Sequence, residues 1–465
     1  MTDPRDQRIA ELEARNSALE VKVAELTQLV LSLKQQLDRN SRNSHLPPSS
    51  DGPGGRGATG QSKSQRKRGG QPGHGGAKRE LLPPETVDKF IELYPKACEN
   101  CWAPLPEVRD DDATRYQVTE VPPVRPHTTE YRCNGVRCAC GYVTVAKADG
   151  VPASPFGPRL MAVVTLLTGV YHLSRRRTVT VLQELLGVSI STGAVSTVES
   201  RVTDALEPAV SEAWGTLDAA AVKHADATSW LLAGKLRSLW TIATRAVTVF
   251  KILVDGSSAS VKPIFGTCQG ILVSDRATVF SFWSMSCRQI CWAHLLRKFV
   301  SFAERDGPAQ KLGQELLDYA ALLFRYWHDL RDGKLDRGLF RARMAPLREQ
   351  LECVLERAVA AGVKEVSGSC ADILAHRAAL WTFVDRDDVE PTNNESEREL
   401  RAFVLWRKRS FGAQSDRGNL FAERVMTVAH TARKQQKNVL AFLTDCCTAY
   451  LAGTAAPSLL ASAEA

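Results

Sequence analysis

Residues 221–233 read AVKHADATSWLLA, and two further apolar runs follow, SLWTIATRAVTVFKILV at 238–254 and GILVSDRA at 270–277. All three are short, rich in β-branched and aromatic residues, and separated by turn signals, a pattern that predicts the strands of an α/β core. Helical patterns lie on both sides of these runs. The sequence therefore predicts a multidomain α+β protein, and the first part of its core occupies residues 216–299.

Two acidic residues lie in the predicted strands. Asp226 falls within the first run, and Asp275 falls at the end of the third run, 49 residues later. A carboxylate in an apolar strand is costly unless it is paired, reaches solvent at the strand end or binds a metal. Two hard carboxylates on adjacent strands can hold Mg²⁺ (or Mn²⁺), which favours a metal site that needs a third carboxylate.

We select Glu397 as the third carboxylate. It lies in VEPTNNESERELRAFVLWRKRSFG (389–412), where the Pro-Thr-Asn-Asn sequence indicates a helix N-terminus with acids in its first turns. Two local explanations of this residue stay open. Its spacing from Asn394 fits a capping box, and its spacing from Arg401 fits a helical ion pair that contributes about 0.3–0.5 kcal/mol.

Composition excludes several classes of protein. The chain has 465 residues, of which 44% are apolar and 24% charged, as is usual for a globular protein. No stretch approaches the roughly 18 uncharged apolar residues of a membrane helix, so we do not expect a membrane protein. The N-terminal sequence MTDPRDQRIA shows no secretory signal, which predicts a cytoplasmic, reducing location and makes the twelve cysteines thiols or metal ligands.

The net charge of +8 is concentrated in two basic blocks. Residues 41–80 carry +6 and residues 398–438 carry +7, so the rest of the chain is net −5. Blocks of this kind are typical of surfaces that neutralise DNA phosphates, and ordinary solvated charge is the alternative. The first block is rich in glycine and nearly free of apolar residues, which predicts a flexible basic linker with DNA contacts from Arg66, Lys67 and Arg68.

Residues 1–40 carry a heptad repeat. Apolar residues recur at alternate steps of three and four from Ile9 to Leu37, with leucine at every d position and Asn16 at one a position. This pattern favours a parallel two-stranded coiled coil, so we predict a homodimer or a higher oligomer. An amphipathic helix that docks on its own chain is the alternative.

Five cysteines predict a zinc-binding module at residues 81–150. A C-x2-C pair is followed about 35 residues later by three cysteines in EYRCNGVRCACGY. Two tight turns can each supply two thiolates to one tetrahedral Zn²⁺ and so close a small domain that lacks a large core. A cluster of buried thiols without metal is the alternative. The predicted ligands are Cys98, Cys101, Cys138 and Cys140, with Cys133 in reserve.

Residues 151–215 have a helical pattern. Within them TVTVLQELLGVSISTGAVSTVESRV (178–202) contains two helical stretches around Gly187, which resembles a helix-turn-helix DNA-binding motif. Two helices packed in a purely structural bundle are the alternative. The three residues that precede the motif fit phosphate contacts, and they are Arg175, Arg176 and Arg177.

Seven motifs together resemble the transposases of the IS66 family. They are NSRNSHLPPSSD (40–51), RGGQPGHGG (68–76), HADATSW (224–230), SDRATVF (274–280), CWAHLLRKF (291–299), NNESERELR (393–401) and RKRSFGAQSDRG (407–418). The motifs are long and ordered, and they cover nearly the whole chain. We therefore expect the fold and activity of this family.

The resemblance implies a DDE transposase with an RNase H-like catalytic core. In this interpretation the core comprises residues 216–299 and 381–440, a helical insertion occupies residues 300–380, and residues 441–465 form a C-terminal tail. Asp226, Asp275 and Glu397 would bind two Mg²⁺ ions. The family pattern N-N-x-x-E-R selects Glu397, and it falls on Asn393, Asn394, Glu397 and Arg398.

The resemblance also implies the reaction and its partners. The enzyme would hydrolyse a phosphodiester at each transposon end, then use the freed 3′-hydroxyl to attack target DNA. Its partners would be the terminal inverted repeats, target DNA and accessory proteins of the same element, at the nucleoid of a bacterial cell. A Cys291–His294 nucleophile pair is disfavoured, because no third group orients it. The expected DNA contacts near the site are His294, Arg297, Arg398, Arg401, Arg407 and Lys408. An alternative places His294 and Arg297 at the edge of the metal site, and an ordinary hydrogen-bonded histidine in a helix is a further alternative for His294.

Two other functions compete with transposition. A zinc-dependent DNA-binding regulator without catalysis explains the first 215 residues equally well, but it leaves the three acids without a purpose. An RNase H-like nuclease without strand transfer shares the acids and differs only in its products.

Deletion of residues 1–40 should lower the oligomeric state, because the heptad repeat supplies the predicted contact between chains. Analytical ultracentrifugation of the full-length and truncated proteins measures this directly. An unchanged number of chains per particle would reject the coiled coil as the assembly element.

Overall fold

The computed structural model describes residues 15–23, 25–28, 30, 80–147, 151–152, 154–363 and 366–460. The predicted basic linker, including Arg66, Lys67 and Arg68, lies outside the described residues. The chain divides into two compact units. One comprises residues 58–127 with 185–187, and the other comprises the remaining residues.

The N-terminal segment is helical at residues 15–23, 25–28 and 30, which together are called α1. Its apolar residues are more than half exposed, namely Leu19, Val23, Leu26 and Val30. An exposed apolar stripe is what the seam of a coiled coil presents before its partner binds. Within the described part of the chain this stripe is not buried. The predicted helix is confirmed for the described positions, and its pairing with a second chain stays a prediction.

The unit of residues 58–127 has little regular structure where it is described. It contains a 3₁₀ turn at Pro84–Thr86, and its other described residues from 80 onward are largely extended or in turns. The N–H of Leu82 donates to Gln117 Oε1 at 2.8 Å, and Gln117 Nε2 donates to the carbonyl of Leu82 at 2.9 Å. No large hydrophobic side chain among these described residues is buried. A unit without an apolar core needs another source of stability, as a small metal-closed module does.

A short hairpin follows in the other unit. Strands β1 (Gly135–Arg137) and β2 (Val143–Val145) pair antiparallel, with Gly135 opposite Val145. The turn between them carries Cys138 and Cys140. The second predicted cysteine turn is therefore found in a two-stranded ribbon.

A five-stranded mixed sheet forms the centre of the larger unit. Its strands are β3 (Val222–Leu232), β4 (Lys235–Ala243), β5 (Thr248–Leu253), β6 (Ile271–Ser274) and β7 (Arg288–Ile290). They lie in the order β5-β4-β3-β6-β7. The first three strands form an antiparallel meander, whereas β6 and β7 join it in parallel. The three apolar runs of the sequence form β3, then β4 with β5, then β6, so the predicted strands are confirmed.

Seven α-helices are described between β5 and the C-terminal region. They are α6 (Ser258–Val261), α7 (Trp292–Ala303), α8 (Pro308–Arg331), α9 (Arg337–Ala360), α10 (Ser367–Ala375), α11 (Arg377–Leu380) and α12 (Thr382–Asp385). Helices α7 to α12 share one apolar cluster with β6 and β7, which includes the fully buried Phe299, Phe340 and Phe383. The helical character predicted for residues 300–380 is confirmed. Although α8 and α9 each have 24 residues, no described helix is long and apolar enough to cross a bilayer.

Three helices complete the chain, and they are α13 (Asn394–Ser410), α14 (Asp416–Lys434) and α15 (Val439–Ala452). Helices α13 and α14 cover one face of the sheet, where Trp230, Phe250 and Phe403 pack with Met426. Helix α15 buries five residues, including two cysteines: Phe442, Leu443, Cys446, Cys447 and Ala449. Residues 441–452 of the predicted C-terminal tail therefore belong to an integral helix, because its apolar face packs against the chain.

The helical region before the sheet contains α2 (Pro158–Thr165), a π-helical turn (Leu166–Val170), α3 (Arg175–Leu186), α4 (Thr192–Ala205) and α5 (Glu207–Ala219). The predicted pair of helices around Gly187 is confirmed as α3 and α4. Helix α4 buries Val195, Val198 and Val202 and packs against α2, α14 and α15. Its exposed residues carry no positive charge. This burial is the arrangement that the bundle alternative requires.

Phe403→Ala should lower the free energy of unfolding of this core by about 3–5 kcal/mol, because the ring is fully buried against Trp230 and Phe250. Urea unfolding followed by tryptophan fluorescence measures the change. The matched control is Leu405→Ala on the same helix, where the side chain is half exposed and the expected effect is within about 0.5 kcal/mol. Equal effects of the two substitutions would contradict this packing.

Candidate active site

Asp226 lies in the middle of the sheet, on β3 opposite Thr241 of β4. Burial raises the pKa of its carboxyl group to about 7. The N–H of Ala227, which donates to Asp226 Oδ1 at 2.8 Å, opposes this rise, and the negative charges of Glu397 and Asp275 add to it. The three predicted acids are therefore close enough to interact electrostatically, and this interaction adds to the raised pKa of Asp226.

Asp275 follows the last residue of β6, and the strand register explains its position. Val222 pairs with Ile271 and His224 with Val273, so the two parallel strands are offset by 49 residues. The same offset relates Asp226 to Asp275, and adjacent strands lie about 4.8 Å apart. The register therefore brings the two acids to neighbouring positions, as the sequence predicted.

The loop after β6 is fixed by a buried arginine. The guanidinium of Arg288 donates to the carbonyl of Asp275 at 2.9 Å and to Ser274 Oγ at 3.1 Å. The N–H of Ala277 donates to Asp275 Oδ1 at 3.0 Å, which closes a local turn around the carboxylate. Arg288 was not among the predicted residues, and no short motif in the sequence marks it.

Glu397 enters the site from the first turn of α13. Its carboxylate lies 3.6 Å from His294 Nδ1 and 3.9 Å from the guanidinium of Arg297, both on α7. Burial raises the pKa of Glu397, Arg297 lowers it, and the charge of Asp275 raises it again. The structure thus places Glu397, His294 and Arg297 together beside the two aspartates.

Neither local explanation of Glu397 is found. The helix is capped at Asn393, without a side-chain hydrogen bond, and Asn394 lies inside it. The N–H of Asn393 donates to Cys291 Sγ rather than to the carboxylate of Glu397. Among the described residues Glu397 forms its ion pairs with α7 and none with Arg401.

Asn393 is a positioning residue that sequence reasoning did not assign. It is fully buried, its Nδ2 donates to the carbonyl of Ala225 at 2.7 Å, and its N–H donates to Cys291 Sγ at 3.1 Å. It therefore ties the start of α13 to the strand residue before Asp226 and to the N-cap of α7. The Asn-Asn pair was visible in the sequence, but these contacts depend on the tertiary fold.

Cys291 is not a nucleophile in this arrangement. It is fully buried, and burial raises the pKa of its thiol to about 11. Cys291, His294 and Glu397 nevertheless place their ligand atoms within 4.8 Å of one another, and among the described residues they form the one such group able to hold a metal ion. Asp226 and Asp275 lie outside this group.

Several predicted DNA contacts have internal partners. Arg175 donates to Glu199 Oε2 through Nε at 2.8 Å and through a terminal nitrogen at 2.6 Å, so it joins α3 to α4. Arg407 binds Thr228 Oγ1 at 2.9 Å and also contacts Ser229. These bonds account for both residues without DNA.

Other basic residues face outward. Arg398 is 72% exposed and lies 3.6 Å from Glu395. The remaining predicted DNA contacts of the described chain are exposed, and they are Arg176, Arg177, Arg401 and Lys408. In the second basic block, residues 398–438, some basic side chains therefore form bonds within the protein and others are exposed.

The two predicted zinc turns have similar local geometry. In the unit of residues 58–127, backbone N–H groups and the Cys101 thiol lower the pKa of Cys98, and Trp102 closes the turn with a φ of 60°. In the hairpin, the N–H and thiol of Cys140 lower the pKa of Cys138, and Gly141 closes the turn with a φ of 89°. Such turns favour thiolates, the form that binds metal. The reserve ligand Cys133 is exposed.

Comparison with known protein families gives two matches. The model described as "Transposase IS66 family" matches residues 153–420, a range that includes all three acids, α7 and Asn393. A second model, "Family of unknown function (DUF6444)", matches residues 1–80. A search of curated proteins found no significant match.

Asp226→Asn should stabilise the Mg²⁺-free protein at pH 8 by about 2–4 kcal/mol and much less at pH 5. The carboxyl group has a pKa of about 7 in the folded chain and 3.8 without burial. Between these values only the folded state binds the proton, so wild-type stability falls as the pH rises through this window. Urea unfolding at both pH values gives the difference.

The exposed Asp255 supplies the control. Hydrogen bonds from Ser257 and Ser260 lower its pKa to about 2, so it is ionised in both states across this range. Asp255→Asn should therefore have the same effect at pH 5 and pH 8. A pH-independent effect of Asp226→Asn would contradict a buried carboxyl group.

Proposed function

Because the chain belongs to the IS66 family of transposases, we propose that it is a DDE transposase. Family membership implies transposition and DNA binding. In the finer mechanism proposed here, the protein binds the ends of its insertion sequence and cleaves the phosphodiester bonds there. It then joins the freed 3′-hydroxyl ends to target DNA.

The strand order supports an RNase H-like core. An antiparallel meander of three strands, extended in parallel from its first strand by two more, gives the order 3-2-1-4-5. Asp226 lies on the first strand, Asp275 follows the fourth, and Glu397 lies on a helix that follows the fifth. One acid from each of these elements is the arrangement that the proposed DDE centre needs.

The observation that carries the proposal is the electrostatic cost of the three acids. Burial and mutual repulsion raise the pKa of both Asp226 and Glu397, and Glu397 Oε1 is buried without a hydrogen-bond donor. Carboxylates held together under these conditions fit a site for hard divalent cations. We propose that Asp226, Asp275 and Glu397 hold two Mg²⁺ (or Mn²⁺) ions, which when bound activate the attacking oxygen and stabilise the leaving oxygen.

The side chains around the acids have positioning roles in this proposal. Asn393 holds the first turn of α13 against β3, and Arg288 holds the loop that carries Asp275. Arg297 carries a positive charge at the edge of the acids, where a substrate phosphate can replace part of its contact with Glu397. The exposed Arg398 and Arg401 add further positive charge along α13.

The N-terminal half would supply DNA binding and assembly. The exposed stripe of α1 fits a coiled coil, and the spacing of Cys98, Cys101, Cys138 and Cys140 in the sequence supports their proposed role as Zn²⁺ ligands. The outward arginines at the start of α3 fit contacts to phosphates of the terminal repeats. Accessory proteins of the same element would be further partners.

Isosteric substitutions test the acids. Asp226→Asn, Asp275→Asn and Glu397→Gln should each reduce Mg²⁺-dependent cleavage of transposon-end DNA by at least about a hundredfold, because each removes a charge that holds a metal ion. DNA binding, measured by gel shift, should change little.

The matched control is Glu395→Gln in the same helical turn. Glu395 pairs with Lys434 and Arg398 instead of facing the other acids, so cleavage should persist. Full activity of any of the three acid variants would remove that residue from the proposed centre.

A further inference from the structure

We propose that Cys291, His294 and Glu397 form a second metal site, selective for a borderline-soft divalent cation such as Zn²⁺, whose occupation takes Glu397 away from the Mg²⁺ centre. The inhibitory part of this inference rests on the proposed catalytic role of Glu397. The site itself depends only on the geometry of α7 and α13.

The ligand atoms are already close to the spacing that a four-coordinate Zn²⁺ ion needs. Cys291 is the N-cap of α7, and His294, three residues later, lies on the same side of that helix. Zn²⁺ bonds of about 2.0–2.3 Å place ligand atoms roughly 3.3–3.8 Å apart. The distance from His294 Nδ1 to Glu397 Oε1 is 3.6 Å, and all three ligand atoms lie within 4.8 Å of one another. Closing the remaining gaps requires movements of about 1 Å.

Two of these ligand atoms have no hydrogen-bond partner in the described chain. His294 Nδ1 and Glu397 Oε1 are both buried and accept or donate no hydrogen bond there. The nearest positive charge, on Arg297, is 3.9 Å from Glu397 Oε1, which is beyond hydrogen-bonding distance. A buried polar atom without a hydrogen bond is unfavourable, so a cation between the two atoms would remove an existing penalty.

The third ligand determines which metal fits. Cys291 Sγ accepts the N–H of Asn393 at 3.1 Å, the type of outer contact that orients a metal-bound thiolate. Thiolate and imidazole suit Zn²⁺, whereas Mg²⁺ prefers oxygen ligands. Binding releases the thiol proton to solvent and leaves a fourth position for water. The thiolate and the imidazole therefore favour Zn²⁺ over Mg²⁺ at this site.

The two proposed sites share Glu397, so their metal ions compete for its carboxylate. In the second metal site its carboxylate turns toward α7, and in the proposed catalytic site it faces Asp226 and Asp275. Zn²⁺ should therefore inhibit Mg²⁺-dependent cleavage, and the inhibition should weaken when the second metal site loses a ligand. The charge of Arg297 opposes a cation at this position and sets the concentration at which Zn²⁺ enters.

The test uses the full-length chain with Cys291→Ser and, as a second variant, His294→Asn. Native mass spectrometry after incubation with Zn²⁺ should show one fewer bound ion in each variant than in the wild type. The zinc concentration that halves cleavage at fixed Mg²⁺ should rise at least about tenfold, with each rate divided by the same variant's rate without zinc. Cys353→Ser is the matched control, because this cysteine is exposed on α9 and lies outside the cluster.

Each result decides a separate part of the inference. An unchanged zinc count in both variants would overturn the site, and a reduced count with unchanged inhibition would overturn the competition for Glu397. The count needs no cleavage, so a wild-type chain that fails to cut DNA with Mg²⁺ would reject the proposed function while the zinc count still decides the site.

Discussion

Three carboxylates that repel one another must be held together in a partly buried place, and much of the fold serves this constraint. The parallel register of β3 and β6 brings Asp226 beside Asp275. Glu397 is 122 residues further along the chain, and a buried asparagine returns its helix to the same strand. The helices between them form their own apolar core, so they can separate the acids in sequence without separating them in space.

The electrostatic cost of this arrangement appears in the raised pKa values of Asp226 and Glu397. Burial and like charges raise the pKa of Asp226 to about 7, close to neutral pH. Local propensity does not explain such a site, because the helix cap uses the backbone of Asn393 and the expected ion pair with Arg401 is not formed. Bound cations would offset the repulsion, which links the stability of the core to the proposed chemistry. In the second site that we propose, Cys291 and His294 would add their own ligand atoms to Glu397, so one carboxylate would respond to two kinds of metal.

The sequence was informative where a pattern is local. The apolar runs predicted the strands. Asp226 and Asp275 were selected as candidates because a charge in an apolar strand needs an explanation. Glu397 was harder, since local spacing also fitted a cap and an ion pair. Family motifs, rather than spacing, selected it. Contacts that depend on the tertiary fold were not predictable, and Asn393 and Arg288 are the main examples. The same reason explains why Arg175 and Arg407 resembled DNA contacts, although each has a partner on a neighbouring element.

The most direct test of the DDE centre is a strand-transfer assay. The full-length protein, Mg²⁺, double-stranded DNA carrying the element's own ends and a plasmid target are incubated, and joined products are scored on a gel. The proposed mechanism predicts joined products with the wild type and none with Glu397→Gln. Hydrolysed ends without joining would indicate a nuclease, and joining that persists in Glu397→Gln would contradict the assignment of the three acids.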